Sequence, residues 1–212
     1  MNGMSRKFGV AIALVVLTLA LVGCAKPPVT ELDASRAALK AAEDTEAGTY
    51  ASAELQEAKD ALAAAETEIA TQEGKFAMTR KYDEAKNLIA TATNKADAAK
   101  QAAVAGKEAA IQGANTALEG VQAAMTAAEA SLVQLEACPK KPKGFDADLA
   151  TLHGNMDAMR AEITNIQDAI TAENFSGATT QADALKGQID TLSMDLSAAM
   201  TKINCVPAVP AS

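Results

Sequence analysis

The sequence predicts an all-α protein, in which an elongated alanine-rich helical bundle or coiled coil is followed by an antiparallel coiled-coil hairpin. Alanine, the strongest helix former, dominates the 212-residue chain. Trp is absent, and Tyr and Phe number only two and four, so the aromatic residues that favour strands are scarce. Apolar residues recur every three or four positions through most of the chain, which is the period of an amphipathic helix.

Residues 1–23 are typical of a signal peptide. Arg6 and Lys7 provide a basic start, and Phe8–Val22 is an almost wholly apolar stretch that is short for a membrane span. The stretch ends in Leu21-Val22-Gly23-Cys24, which resembles the lipobox of bacterial lipoproteins. The resemblance implies cleavage before Cys24, a covalent acyl lipid on its thiol, and a tether over residues 24–29. The alternative is an uncleaved helical anchor with an incidental cysteine.

Residues 30–137 are predicted to form an alanine-rich helical region. In its second helix the apolar positions from Leu55 to Ile69 alternate by three and four, which places them on one helical stripe. Gly48 is expected to end the first helix, because glycine commonly follows a helix end, and Gly74 is expected to end or kink the second. The expected helices cover residues 30–47, 52–74 and 80–136.

The longest predicted helix, 80–136, carries a heptad seam. Its apolar residues recur every seven positions in two lines: Val104, Ile111, Leu118, Met125 and Leu132, and Ala114, Val121, Ala128 and Leu135. Gly106, Gly113 and Gly120 share this spacing, although glycine weakens a helix by about 1 kcal/mol relative to alanine. The three glycines predict a flat face where a partner helix approaches closely. A solvent face that merely tolerates glycine is the alternative.

Residues 138–205 are predicted to form a helical hairpin. The segment that opens it contains two prolines and a glycine, which stop the preceding helix. Two helices with the same three-and-four spacing follow, over about 146–172 and 176–204, and the short turn between them makes the pair antiparallel. Phe175 in this turn is a candidate contact for a partner. Residues 206–212 form a proline-containing tail.

The positions of two cysteines predict a disulfide. Cys138 lies just before the first helix of the hairpin and Cys205 just after the second, so an antiparallel pair brings them together at its open end. If the lipobox is real, the chain enters an oxidising compartment in which such a bond persists. Two free or separately paired thiols are the alternative.

The sequence contains no pattern that predicts catalysis, a metal site or nucleic-acid binding. The formal net charge is −8, and no basic stripe with interleaved aromatic residues occurs. The only basic cluster, Lys140–Lys143, is interpreted as a solvated linker, with a phosphate or lipid-headgroup patch as the alternative. His153 is the only histidine and is expected at a flanking coiled-coil position. We therefore expect no enzyme activity, no metal, no small-molecule substrate and no cofactor other than the acyl lipid.

Within residues 21–110, the lipobox is followed by three distinctive stretches. They are Ala47-Gly48-Thr49-Tyr50-Ala51-Ser52-Ala53-Glu54-Leu55, Ala58-Lys59-Asp60-Ala61-Leu62 and Lys81-Tyr82-Asp83-Glu84-Ala85. Together they resemble a family of alanine-rich bacterial envelope lipoproteins that is known only as a domain of unknown function. In that family a Tyr-Ala-Pro-Glu-Leu stretch opens the second helix, whereas the corresponding Ser52-Ala53 lacks the proline. The resemblance implies a class and a location, and no activity.

These features predict a lipid-anchored periplasmic lipoprotein with a structural, scaffold or adaptor role that acts through coiled-coil contacts. Its expected partners are the membrane, reached through the lipid, and either further copies of the chain or another helical envelope protein. Ala25 rather than Asp follows Cys24, which favours the outer over the inner membrane in the sorting pattern that the lipobox implies. The second hypothesis is a periplasmic chaperone or carrier that binds apolar clients between its helices.

Overall fold

The computed structural model describes residues 25–205, and all regular secondary structure in this range is helical. Six α-helices and one 3₁₀ turn, Ala77–Thr79, occur in it, and the range contains no strand. The helices are α1 (Val29–Asp44), α2 (Ala47–Tyr50), α3 (Ser52–Glu73), α4 (Asp83–Glu136), α5 (Phe145–Thr171) and α6 (Phe175–Lys202). The all-α prediction is therefore confirmed. The predicted signal peptide, Cys24 and the tail 206–212 lie outside the described residues.

The described chain divides into two compact units, residues 25–106 and 107–205, and the division falls inside α4. From the sequence we placed the boundary at 137/138 instead, with all of α4 in the first part. In the structure, α5 and α6 pack against each other across the turn at 172–174, and the second half of α4 belongs to the same unit. A two-helix hairpin leaves part of each apolar stripe uncovered, and a third helix can bury it.

The first unit is built around two apolar clusters to which α1, α3 and the first half of α4 contribute. The larger cluster consists of Leu32, Leu62, Ala65, Ile69, Tyr82, Ala85, Ile89 and Ala92. The second is mostly alanine and consists of Ala42, Ala47, Ala51, Leu55, Ala99 and Ala103. Because the distance between packed helices depends on the side chains at their contact, alanine allows a close approach of the backbones.

The break between α1 and α2 differs from its prediction. We expected one helix over 30–47 that Gly48 ends, but α1 ends at Asp44 and Gly48 lies inside α2. The left-handed residue at the break is Glu46, with φ of 61°. Ala47, which follows it, is fully buried in the alanine-rich cluster. The break between α1 and α2 therefore occurs where Ala47 packs into this cluster, and not at Gly48.

Candidate functional site

Gly106 contacts its own chain rather than a partner. A Cβ atom at this position would lie 2.7 Å from the Tyr50 carbonyl oxygen and 3.1 Å from the Tyr50 Cβ, closer than ordinary van der Waals contacts. The absence of a side chain therefore lets α4 approach the end of α2 inside the first unit. This finding removes Gly106 from the predicted partner face.

Gly113 and Gly120 have different surroundings. A Cβ atom at either position would meet no heavy atom of the described residues within 4 Å. Gly113 is exposed and Gly120 is half-buried. The partner-face prediction therefore stays open for these two glycines only.

A change of register along α4 explains why Gly106 contacts Tyr50 whereas the equally spaced Gly113 and Gly120 have open space beside them. In the first unit one buried line has a seven-residue spacing and leads to Gly106; its members are Ala85, Ala92 and Ala99. The same spacing leads next to Gly113, but the first fully buried residue of α4 in the second unit is Ala114, one position later. From there the buried line continues through Val121, Ala128 and Leu135. Such a shift interrupts a strict heptad, as a stutter does in a coiled coil.

The two predicted apolar lines of α4 are buried to different extents. The line that begins at Ala114 is buried at every position. The line that begins at Val104 is not: Val104 is exposed, Ile111 and Leu118 are half-buried, and only Met125 and Leu132 are buried. The predicted heptad seam is therefore not buried along its whole length.

Phe175 is buried within the second unit, with only 6% of its surface exposed. It begins α6 directly after Asn174, whose side-chain oxygen accepts a hydrogen bond from the Gly177 amide at 3.1 Å. This is an N-cap, which satisfies one of the free amides at a helix start. Gly177 suits the cap because a Cβ atom there would lie 2.7 Å from the same Asn174 oxygen. Because the ring is buried in its own unit, the prediction that Phe175 contacts a partner is corrected.

Cys138 and Cys205 form a disulfide, as predicted. Their Cα atoms are 5.7 Å apart, in the usual range for such a bond, across a sequence separation of 67. Cys138 follows the end of α4, and Cys205 follows the end of α6. The bond consequently ties the carboxyl ends of two helices of a three-helix unit, rather than clamping a free-standing pair.

An apolar groove of about 380 Å³ opens beside the disulfide. It lies where the first turns of α5 meet the last turns of α6 and α4. Most of its lining is apolar, and three charged residues also line it: Lys143, Asp148 and Lys202. The large apolar side chains are Leu135, Phe145, Leu149, Leu152 and Ile203. No sequence pattern indicates this groove, because its walls come from three separate helices and the loop before α5.

The only histidine of the chain pairs with a carboxylate on the neighbouring helix. His153 is exposed, and its Nε2 lies 2.6 Å from a carboxylate oxygen of Glu136. No group of three or more His, Cys, Asp or Glu residues between 25 and 205 is placed to hold a metal ion. The sole histidine thus has one carboxylate partner, which is an ion-pair arrangement when the ring is protonated.

Two arginines connect neighbouring helices through carboxylates. In the first unit an Arg36 Nη atom lies 2.6 Å from Glu66, and the resulting hydrogen bond raises the pKa of the Arg36 guanidinium. In the second unit Arg160 lies 2.8 Å from Glu129, which likewise raises the pKa of Arg160. All four side chains are substantially exposed, so each pair contributes little to stability. The two ion pairs show that α1 faces α3 in the first unit and that α5 faces α4 in the second.

The end of the first unit that carries the start of α1 also carries an exposed loop. Pro27 and Glu73 line one surface cavity of about 260 Å³, so the tether reaches the end of α3. The segment Lys75–Lys81, hereafter the 75–81 loop, follows directly and connects α3 to α4. Phe76 and Met78 of this loop are 73% and 81% exposed. No helix was predicted over residues 75–79, although the apolar run Phe76-Ala77-Met78 between basic residues is visible in the sequence.

No family model, curated protein or solved structure matches the chain. Between residues 25 and 205, no helix combines the length and the apolar character that crossing a membrane requires.

Proposed function

We propose that the protein is a bacterial envelope lipoprotein, anchored by acyl chains on Cys24, that serves as a structural scaffold or adaptor through its helices. The observation that carries this proposal is the sequence Leu21-Val22-Gly23-Cys24 at the end of the apolar stretch Phe8–Val22. One acyl chain binds a membrane only marginally, whereas two or three hold a protein there. The outer membrane is the favoured location, because Ala25 rather than Asp follows Cys24.

The Cys138–Cys205 disulfide supports this compartment. Disulfides persist in oxidising surroundings such as the bacterial periplasm and are rare in the reducing cytosol. With Cys138 and Cys205 joined, Cys24 is the remaining cysteine of the chain, and its thiol is the one left for acylation. The three cysteines thus fit one consistent assignment.

Contact with a helical partner is supported by the open surface beside Gly113 and Gly120. Small residues let two helix backbones approach closely, and no described residue occupies the space that a side chain would take. Either a second copy of this chain or another envelope protein could supply the partner helix.

Acylation is tested on full-length protein expressed in a bacterium and recovered from the membrane fraction. Mass spectrometry of the amino-terminal peptide should show Cys24 as the first residue with two or three acyl chains. Cys24→Ser should abolish the modification, and Cys138→Ser/Cys205→Ser, as a matched control, should leave it intact. An unmodified Cys24 behind an uncleaved segment contradicts the proposal.

The scaffold role is tested by crosslinking in intact cells of the native bacterium. A photoreactive residue at Gly113 should capture either this chain itself or one other envelope protein. The matched control is Val133, which is exposed on the same helix and in the same unit but off the glycine line. Capture of the same mixture of unrelated proteins at both positions would overturn the scaffold role.

The groove beside the disulfide favours one second candidate, a carrier of apolar ligands. Its volume of about 380 Å³ falls in the range of small-molecule sites, and leucine, isoleucine and phenylalanine side chains line it. A fluorescent apolar dye should then bind purified protein, and Leu152→Lys should weaken its binding. Equal dye binding by the parent and the Leu152→Lys protein would exclude this groove as a carrier site.

A further inference from the structure

The 75–81 loop presents the two most exposed large apolar side chains of the described chain. They belong to Phe76 and Met78, which flank Ala77 at the 3₁₀ turn. Neither side chain belongs to the apolar clusters of the first unit, so the fold does not depend on their apolar character. Two large exposed apolar residues two positions apart on one loop give it an apolar tip, and exposed apolar patches mark contacts with partners or membranes.

Hydrogen bonds at its base fix the shape of the loop. The Arg80 guanidinium donates to the Glu73 carbonyl oxygen at 2.8 Å and to the Lys75 carbonyl oxygen at 3.0 Å. The Lys81 amide donates to the side-chain oxygen of the buried Gln72 at 3.1 Å. These bonds satisfy backbone groups at the end of α3 and hold the loop in one conformation. The apolar tip is therefore presented in an ordered form, which reduces the entropy lost on binding.

The charge of the loop is opposite to that of the whole chain. Lys75, Arg80 and Lys81 lie within nine residues, 74–82, that contain no Asp or Glu, whereas the net charge of the chain is −8. Lys75 and Lys81 are exposed, so their ammonium groups can reach a surface that the tip touches. An apolar tip between cations matches an anionic lipid surface, where apolar groups enter the headgroup region and cations meet phosphates.

The loop lies close to the point where the lipid would be attached. Pro27 and Glu73 line the same cavity, Cys24 precedes Pro27 by three residues, and Phe76 follows Glu73 by three residues. Three residues of chain span at most about 11 Å. A bilayer that holds an acylated Cys24 is therefore within reach of Phe76.

We propose that the 75–81 loop is a second membrane contact, in which Phe76 and Met78 enter the interface of an anionic phospholipid bilayer and Lys75 and Lys81 bind its phosphates. This proposal rests on the proposed attachment of the amino terminus to a membrane. The anchor confines the loop near the bilayer, so a weak contact that would fail alone becomes effective. The loop then limits the orientations of the first unit relative to the membrane.

The experiment uses a single tryptophan, since the chain has none. Full-length Phe76→Trp is purified from membranes and reconstituted in vesicles of phosphatidylethanolamine and phosphatidylglycerol, with and without brominated acyl chains. We expect blue-shifted emission from the introduced tryptophan, which the brominated lipids quench. The matched control is Thr49→Trp in α2 of the same unit, an exposed position beyond the far end of the 16-residue α1, which spans about 24 Å, and it should stay unquenched.

The contribution of the cations is measured in the same protein. Adding Lys75→Gln and Lys81→Gln to Phe76→Trp should lower the ratio of inserted to withdrawn loop about 25-fold, because each cation near an anionic surface contributes about fivefold. Circular dichroism of each variant checks that its helices are intact. Quenching that these two substitutions leave unchanged would overturn the role of the lysines.

The remaining outcomes separate this proposal from the anchor itself. Mass spectrometry of the same Phe76→Trp sample reports whether Cys24 is acylated, independently of the fluorescence. Acylated protein whose tryptophan emits as in water and is not quenched overturns the loop contact and leaves the anchor standing. Blue-shifted emission without quenching by brominated lipid also overturns it, since the loop then binds protein instead. A quenched tryptophan in protein with an unmodified amino terminus supports the loop and overturns the acyl anchor.

Discussion

Gly106→Ala should destabilise the first unit by about 2 kcal/mol. The new Cβ would lie 2.7 Å from the Tyr50 carbonyl oxygen, a backbone atom that moves only with its helix. Overpacking of this kind costs about 3 kcal/mol at the upper end of its range. The gain in helix propensity from glycine to alanine returns about 1 kcal/mol. Gly113→Ala, seven residues later in the same helix, meets no described atom within 4 Å and should therefore stabilise the protein by about 1 kcal/mol.

The chain provides a selective probe for this measurement. Its only tyrosines, Tyr50 and Tyr82, both lie in the first unit, and it has no tryptophan, so tyrosine emission during urea unfolding reports that unit. Circular dichroism reports both units. We expect Gly106→Ala to lower the midpoint of the tyrosine transition. An unchanged or raised midpoint for Gly106→Ala would refute the close approach of α4 to Tyr50.

Three further predictions concern the second unit. Cys138→Ser/Cys205→Ser should lower the free energy of unfolding by about 4 kcal/mol, the chain-entropy value for a bridge across 67 residues. The midpoint of the circular dichroism transition should fall, while the tyrosine transition stays in place. Phe175→Ala should cost about 3 kcal/mol because its ring is buried, whereas Met194→Ala, at an exposed site on the same helix, should cost under about 0.5 kcal/mol in the same urea titration. Asn174→Ala removes the cap of α6 and should cost about 1 kcal/mol, while Asn174→Asp, which keeps an acceptor oxygen, should retain most of the stability.

Each of these predictions has a distinct contradicting result. For the cysteines it is an unchanged midpoint in the double variant, or a tyrosine transition that falls as far as the circular dichroism transition. For the phenylalanine, equal losses in Phe175→Ala and Met194→Ala would show that the ring is not packed. For the cap, Asn174→Asp as unstable as Asn174→Ala would mean that the acceptor oxygen is not what stabilises the helix start.

The sequence alone determined the secondary structure and the disulfide. Helix propensity and three-and-four spacing are properties of neighbouring residues, so the five long helices were located with ends within about three residues of those observed. The pair Cys138 and Cys205 followed from chain order, since an antiparallel turn brings the outer ends of two similar helices together. Sequence patterns also predict an acyl anchor at Cys24, which lies outside the described residues and stays a prediction.

The grouping of helices into units, and the contacts of each surface residue, depend on the tertiary structure. Seven-residue spacing could not distinguish Gly106, which contacts Tyr50, from Gly113, because their difference depends on a register shift and on α2, far away in the sequence. Phe175 falls in the turn that the sequence predicts, where exposure is common, yet in the structure it begins α6 and is buried. The physical reason is the same in both cases. Local propensity sets the conformation of a segment, whereas burial is fixed by long-range contacts that no local pattern encodes.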